Sequence, residues 1–426
     1  MNSSKTGRSM IEYQRSRRRF LAESSASAAA LGLGATVPQC FLNAAEAASE
    51  NEERVLVVVQ LTGGNDGLNT VVPHGDSAYY AARPKLAIPK SDVLSIDDQF
   101  GLHPNMRGMR DLLDDGMLSV IHAVGYENPN RSHFESMDIW HSCVHKTETR
   151  QFGWLGSYLE ADSMIGNPST AGGDVPAIHL GIEQQPFALA ARSVRVPTVK
   201  KLEEFELRGN DTKALRELLL TDRRNESIPS EDNELLGFLR SSTRNAVSAS
   251  RRVSEATSSY KADVKYPDSR LGEELKVVAQ LINAGMSTRI YYVQLNGFDT
   301  HAQQPDAHAL LLRQWSESVS AFLRDMEAKG NHERVCVMTF SEFGRRVAEN
   351  ASSGTDHGAA GPVLLCGGAV RSGLIGDAAS LTDLQQGDLK HPIDFRSVYA
   401  GILKDWLRTD PETVLGKPYP GLDLFV

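Results

Sequence analysis

Short apolar runs separated by longer amphipathic stretches set the rhythm of this chain. "RVLVVVQL" (54–61) is almost continuously β-branched or aliphatic, the pattern of a strand buried on both faces. "MLSVIHAVG" (117–125), "STRIYYVQLNG" (287–297), "HERVCVMTFSE" (332–342) and "GPVLLCGGAV" (361–370) repeat it. Helical periods lie between them: "NMRGMRDLLDDG" (105–116), "LGEELKVVAQLINAG" (271–285) and "HALLLRQWSESVSAFLRDMEAKG" (308–330). Each closes on a glycine, the residue that most easily takes the left-handed turn past a helix C-terminus. "DFRSVYAGILKDWL" (394–407) supplies a closing helix. Buried strands alternating with helices predict an α/β fold, a mostly parallel central sheet with helices on both faces.

Two stretches break the rhythm. Residues 1–47 carry Ser16-Arg17-Arg18 followed by Arg19-Phe20-Leu21, then an Ala-rich, weakly apolar segment, then Ala45-Glu46-Ala47. This is the layout of a twin-arginine export signal, cleaved after Ala47. The segment is too weakly apolar for a stable membrane span, which needs about 20 strongly apolar residues. The expectation is therefore an exported, periplasmic protein of residues 48–426, delivered by the twin-arginine machinery and without a membrane anchor. The second stretch, about 200–265, is charged, Ser-rich and helical in period. It reads as a helical insertion, either capping the substrate mouth or simply solvated.

Composition narrows the partners. The chain has 426 residues, 41% hydrophobic and 23% charged, enough for a sizeable core. A net charge of -9 and a pI near 5.8 argue against nucleic acid or an anionic membrane as the main partner. The four cysteines have no CxxC spacing, and Cys336 and Cys366 sit inside apolar runs where buried thiols are expected.

Ligands of open parallel sheets bind beyond the carboxyl ends of the strands, so the residues just past each run matter most. Asp66 lies in "TGGNDG" after the first run, and Arg131-Ser132 in "NPNRSHFES" after the second. Asp299 and His301 lie in "GFDTH", Glu342 in "SEFGRR", and Asp356-His357 in "GTDHG". Each has a plainer reading: Asp66 as a turn former, Ser132 capping a helix with Glu135, Glu342 pairing with Arg345 or Arg346. Together, Asp, Glu, His and a hydroxyl suit zinc or another divalent cation. Two such ions could hold the attacking and leaving oxygens of an in-line displacement. No G-x-S-x-G elbow and no nucleotide-binding glycine fingerprint is present.

The ordered motifs "VVVQLTGGNDGLNTVVP", "RSHF", "GWLG", "GFDTHAQQ", "FSEFGRRVAEN" and "GTDHG" resemble the DUF1501 family of exported bacterial proteins across the mature chain. That family is similar to the alkaline phosphatase and sulfatase superfamily. The resemblance implies an alkaline phosphatase-like three-layer sandwich with metals at the strand ends. Carried over, Asp66 matches the first metal-binding aspartate, and Ser132 falls where the nucleophile opens a helix. Asp299 and His301 match the Asp/His pair of the other metal, although more closely spaced. Glu342 sits where an Asp-His pair ends a strand, with Phe343 replacing the histidine, and His357 matches the last histidine.

The expected metal set is thus Asp66, Asp299, His301, Glu342 and His357, with zinc favoured and calcium or magnesium possible at a weakened second position. Ser132 or a metal-activated water is the expected nucleophile, and Arg131 or Arg345 the expected anion partner. The implied activity is metal-dependent hydrolysis of a small-molecule or glycan phosphate or sulfate ester. The alternative is an exported binding or structural protein that keeps the fold without turnover.

Overall fold

The structure is a computed structural model that describes residues 54–164, 175–200 and 260–426. The export signal (1–47) lies outside the described residues, as does 201–259, nearly all of the expected insertion.

The strands in chain order are β1 Val55–Thr62, β2 Val71–Val72, β3 Leu94–Ser95, β4 Gly101–Leu102, β5 Leu118–Gly125, β6 Ala177–Leu180 and β7 Thr198–Val199. They continue as β8 Ile290–Asn296, β9 Val335–Phe340, β10 Arg345–Glu349, β11 Thr355–His357, β12 Gly361–Cys366, β13 Gly373–Ile375 and β14 Ile393–Asp394. The helices are α1 Gly67–Thr70, α2 Ser77–Ala82, α3 Arg107–Asp114, α4 His133–Ser142, α5 Trp154–Met164, α6 Arg270–Asn283, α7 Gln304–Ala328, α8 Phe395–Gly401 and α9 Pro411–Leu415. The glycines expected to stop α3, α6 and α7 are Gly116, Gly285 and Gly330, all at positive φ. The closing helix runs on from α8 as a π-helical turn over Ile402–Trp406.

The main sheet has the order β13-β5-β12-β9-β1-β8-β6-β7, with β14 also on β5. β1 lies parallel to β8 and β9 at the centre. Period-2 alternation of β1 divides the core: Val55, Val57, Val59 and Leu61 point to one face, Leu56 and Val58 to the other. On the first face they meet α3 (Met109, Leu112), α6 (Leu275, Val278, Ile282) and α7 (Leu312, Trp315, Phe322). On the second they meet α4 (Ile139, Trp140), α5 (Trp154, Tyr158) and α8 (Phe395, Tyr399). Trp140 stacks on Phe395 at 4.5 Å, and Trp154 on Tyr399 at 4.1 Å. The result is the three-layer α/β sandwich with a mostly parallel sheet.

β12 is the exception, antiparallel to both β9 and β5. The chain leaves the carboxyl end of β9, turns through the β10–β11 hairpin, and re-enters the sheet from that same end. His357, just before β12, therefore shares an edge with residues that come after β1, β8 and β9. Cys336 and Cys366 are buried and unpaired, as expected. Among the described residues no helix is long and apolar enough to cross a membrane.

Candidate metal centre

Four side chains meet at this edge. Asp299 and His301 come after β8, His357 ends β11, and His133 is the first residue of α4. Asp299 Oδ1 lies 3.1 Å from His357 Nε2, 3.0 Å from His301 Nε2 and 3.4 Å from His133 Nε2. His301 Nε2 and His357 Nε2 are 2.8 Å apart. The ligand atoms of His133, Asp299 and His357 all lie within 4.8 Å of one another.

Proton positions make this clustering informative. His357 Nδ1 faces the carbonyl oxygen of Arg131 at 2.8 Å. A carbonyl only accepts, so Nδ1 carries the hydrogen, and the neutral imidazole turns the Nε2 lone pair inward. Burial lowers the His357 pKa, which favours that neutral form. His133 Nδ1 faces Glu342 Oε1 at 2.8 Å by the same logic, while its Nε2 is buried without a hydrogen-bond partner. Burial would raise the Asp299 pKa, but the hydrogen bond and charge of Arg345 bring it down to about 2. The His357 lone pair and the orphaned His133 Nε2 thus face an ionised carboxylate oxygen; the Glu342 hydrogen bond raises the His133 pKa, so Nε2 is a place for positive charge, a proton or a cation. His133, Asp299 and His357 therefore fit a divalent metal, and two imidazoles with one carboxylate fit zinc better than calcium or magnesium; His301 touches Asp299 and His357 but lies outside that group of three.

The sequence marks His133 only as a neighbour of Ser132. A signal for it exists there: an imidazole at the first helical position after a buried strand, on the edge where the other motifs gather.

The remaining candidates sit elsewhere. Asp66 is fully buried in an ion pair with Arg83, Nη1 to Oδ2 at 2.6 Å, and Oδ2 also accepts from Gln304 Nε2. Burial alone would raise its pKa, but the Arg83 charge and hydrogen bond prevail and lower it. Arg83 also donates to the carbonyls of Val347 and Arg346, so the pair ties the Asp66 turn to β10. Glu342 is fully buried, and its Oε1 accepts from Gly63 N at 2.9 Å as well as from His133. It supports a histidine of the cluster instead of joining the converging atoms. Its expected pairing with Arg345 or Arg346 does not form. Arg345 instead donates to Asp299 Oδ1 at 2.8 Å.

Ser132 is exposed at the N-cap of α4, and the capping box does not form: its side chain makes no capping bond, and Glu135 pairs with Arg150. Arg131 places Nε and Nη2 on Asp388 Oδ2 at 2.9 and 2.6 Å. Phe343, in the position of the missing histidine, packs against His133 and His357 at 4.9 and 4.8 Å between centroids. Gly64 makes room for it, because a Cβ there would overlap the Phe343 ring. A cleft of about 420 Å³, lined by Asn128, Asn130, Arg131, Ala359, Asp388 and His391 among others, adjoins the cluster.

The model of the family described as "Protein of unknown function (DUF1501)" matches residues 53–418. The chain belongs to this family. No curated protein matches it significantly. Solved structures similar to this DUF1501 member include Ps i-CgsB in complex with k-i-k-neocarrahexaose, at 7% identity and TM-score 0.37, covering 86% of this chain and 73% of that one. PsFucS1 sulfatase from Pseudoalteromonas sp. is 9% identical at TM-score 0.32, covering 82% and 70%. The lipoteichoic acid synthase LtaP from Listeria monocytogenes is 9% identical at TM-score 0.29, covering 76% and 68%. At this distance none of them speaks to activity, so the chemistry of this DUF1501 chain rests on its own residues.

Proposed function

We propose that this protein is a metal-dependent hydrolase of phosphate or sulfate esters, exported through the twin-arginine route. The observation that carries the reading is the convergence of His133, His301 and His357 Nε2 on Asp299 Oδ1, with a buried, orphaned nitrogen among them. His133, Asp299 and His357 would hold the ion. When bound, a divalent cation supplies Lewis-acid polarisation of the ester and lowers the pKa of a nearby hydroxyl or water.

The protein's own residues supply the rest. Ser132 stands at the start of α4, exposed and beside His133, with its hydroxyl free of any capping bond. In the hydrolysis its oxygen, or that of a water, forms the new bond to phosphorus or sulfur as the bond to the leaving oxygen breaks, and the proton of the attacking group goes to the departing alcohol. Where Ser132 attacks, water then displaces the serine oxygen, releasing phosphate or sulfate and returning the proton to the hydroxyl. The adjoining cleft gives the alcohol portion a place beside the cluster.

A second reading, an exported binding protein without turnover, is favoured by one observation. Arg131 is engaged with Asp388 and Arg345 with Asp299 and backbone carbonyls, so both guanidiniums nearest the cluster are already committed. Elemental analysis of the purified mature protein, with a panel of phosphatase and sulfatase substrates, separates the two. The hydrolase reading expects one equivalent of bound metal and turnover that Asp299→Ala abolishes. Metal binding without product release would favour the binding protein. Protein that binds no divalent metal, with turnover unchanged in Asp299→Ala, would sink the hydrolase reading.

A further inference from the structure

Glu342 is a fully buried carboxylate with no arginine or lysine in ion-pair range among the described residues; its ion-pair partner there is His133. A buried charge with so weak a counter-charge is costly unless something else balances it. Its surroundings hold it in place. Oε1 accepts from Gly63 N at 2.9 Å, and Ser341 Oγ lies 3.0 Å from Oε2. Ser136, three residues after His133 on the same face of α4, donates its hydroxyl to the Glu342 backbone carbonyl at 2.5 Å. Helix α4 thus docks on Glu342 through two side chains one turn apart, and one of them is an imidazole of the cluster.

We propose that Glu342 is the positioning residue of this centre: it keeps the His133 hydrogen on Nδ1 and leaves Nε2 as a lone pair aimed at Asp299. The inference rests on the reading of the cluster as a metal site. A carboxylate behind an imidazole fixes its tautomer and ring orientation and makes the other nitrogen a stronger ligand. A cation at Nε2 then balances the buried carboxylate through the ring. Phe343, wedged against His133 and His357, restricts the two rings from the side. The acid that sequence comparison assigns to direct ligation works here through an imidazole.

The test uses long-range proton–nitrogen NMR of histidine-labelled, metal-free protein, then zinc competition against a chromophoric chelator. Wild type is expected to show His133 with hydrogen on Nδ1. Glu342→Ala loses that bias and weakens zinc binding by about 10–100-fold. Glu342→Gln, which keeps an acceptor oxygen for Gly63 and His133, retains the tautomer and loses less affinity than the alanine variant. Should Glu342→Ala fail to fold, Glu342→Asp, which withdraws the carboxylate by one methylene, must show the same tautomer shift. A neutral His133 with its hydrogen on Nε2 in wild type overturns the proposal, as does wild-type zinc affinity in Glu342→Ala. Wild-type protein that binds no zinc at all defeats the metal reading, and the tautomer measurement still decides the role of Glu342.

Discussion

The turn after β1 and the turn after β8 both offer an aspartate at the sheet edge, and the two aspartates live differently. Asp66 is buried beside Arg83, which neutralises it and stitches the turn to β10. Asp299 is about half exposed, at 48% of its side chain, and gathers the Nε2 atoms of His133, His301 and His357 within 3.4 Å. The first arrangement closes a charge off inside the protein; the second leaves it at the surface among imidazoles. Position at a strand end is shared, and so is a guanidinium, Arg83 for one and Arg345 for the other; the distinction lies in burial and in the imidazoles gathered around Asp299.

The contrast breaks most visibly on the buried side. Arg83→Ala leaves Asp66 buried and unpaired, and is expected to cost about 3–5 kcal/mol, read as a lowered denaturant midpoint. A cost below about 1 kcal/mol would mean that the pair is not structural.

Acid should expose the same region. His308, whose Nε2 lies 2.9 Å from Asn65 Oδ1, is pushed down to about 4 by burial. The unfolded chain therefore binds the extra proton first, so the His308 contribution is complete above about pH 6.5 and is lost as pH falls towards 4. The slope is about 1.4 kcal/mol per pH unit for this group, and His308→Gln should flatten the unfolding curve by that amount across the window.

The exposed side should behave in reverse. His357→Ala is expected to change metal-free stability by less than about 1 kcal/mol, as substitutions away from packed cores usually do. It should nevertheless erase the roughly 2.7 kcal/mol of stabilisation that zinc at about a hundred times its Kd gives wild type. A thermal shift that persists in the variant would place the ion elsewhere. The smallest effect belongs to Phe134, exposed at 87% beside His133, whose change to alanine should alter stability by no more than about 0.5 kcal/mol.

The sheet was legible because its long strands are continuous apolar runs and its helices announce their ends with glycine. The short ladders β2–β4, β13 and β14 carry no such periodicity and exist only through their partners. The direction of β12 depends on the path of the hairpin before it, which no local pattern encodes. At the site, the edge was legible and the grouping was not. Glu342 and Asp66 looked equivalent to Asp299 as strand-end acids. Their partners, His133 and Arg83, lie 209 and 17 residues away and are chosen by packing. Ser132 and Glu135 had the right spacing for a capping box, but Arg150 offered Glu135 a charge and won it.

Arg345 gives the edge a history as well as a shape. Its guanidinium donates to the carbonyls of Gly63, Gly64, Phe298 and Thr355 as well as to Asp299, joining segments up to 282 residues apart. Contacts of such sequence separation form late, after the sheet has closed the loops between them. A nascent chain that has not yet released residue 345 holds only scattered pieces of the cleft. The edge is therefore whole only once residues 63 and 345 have both been placed.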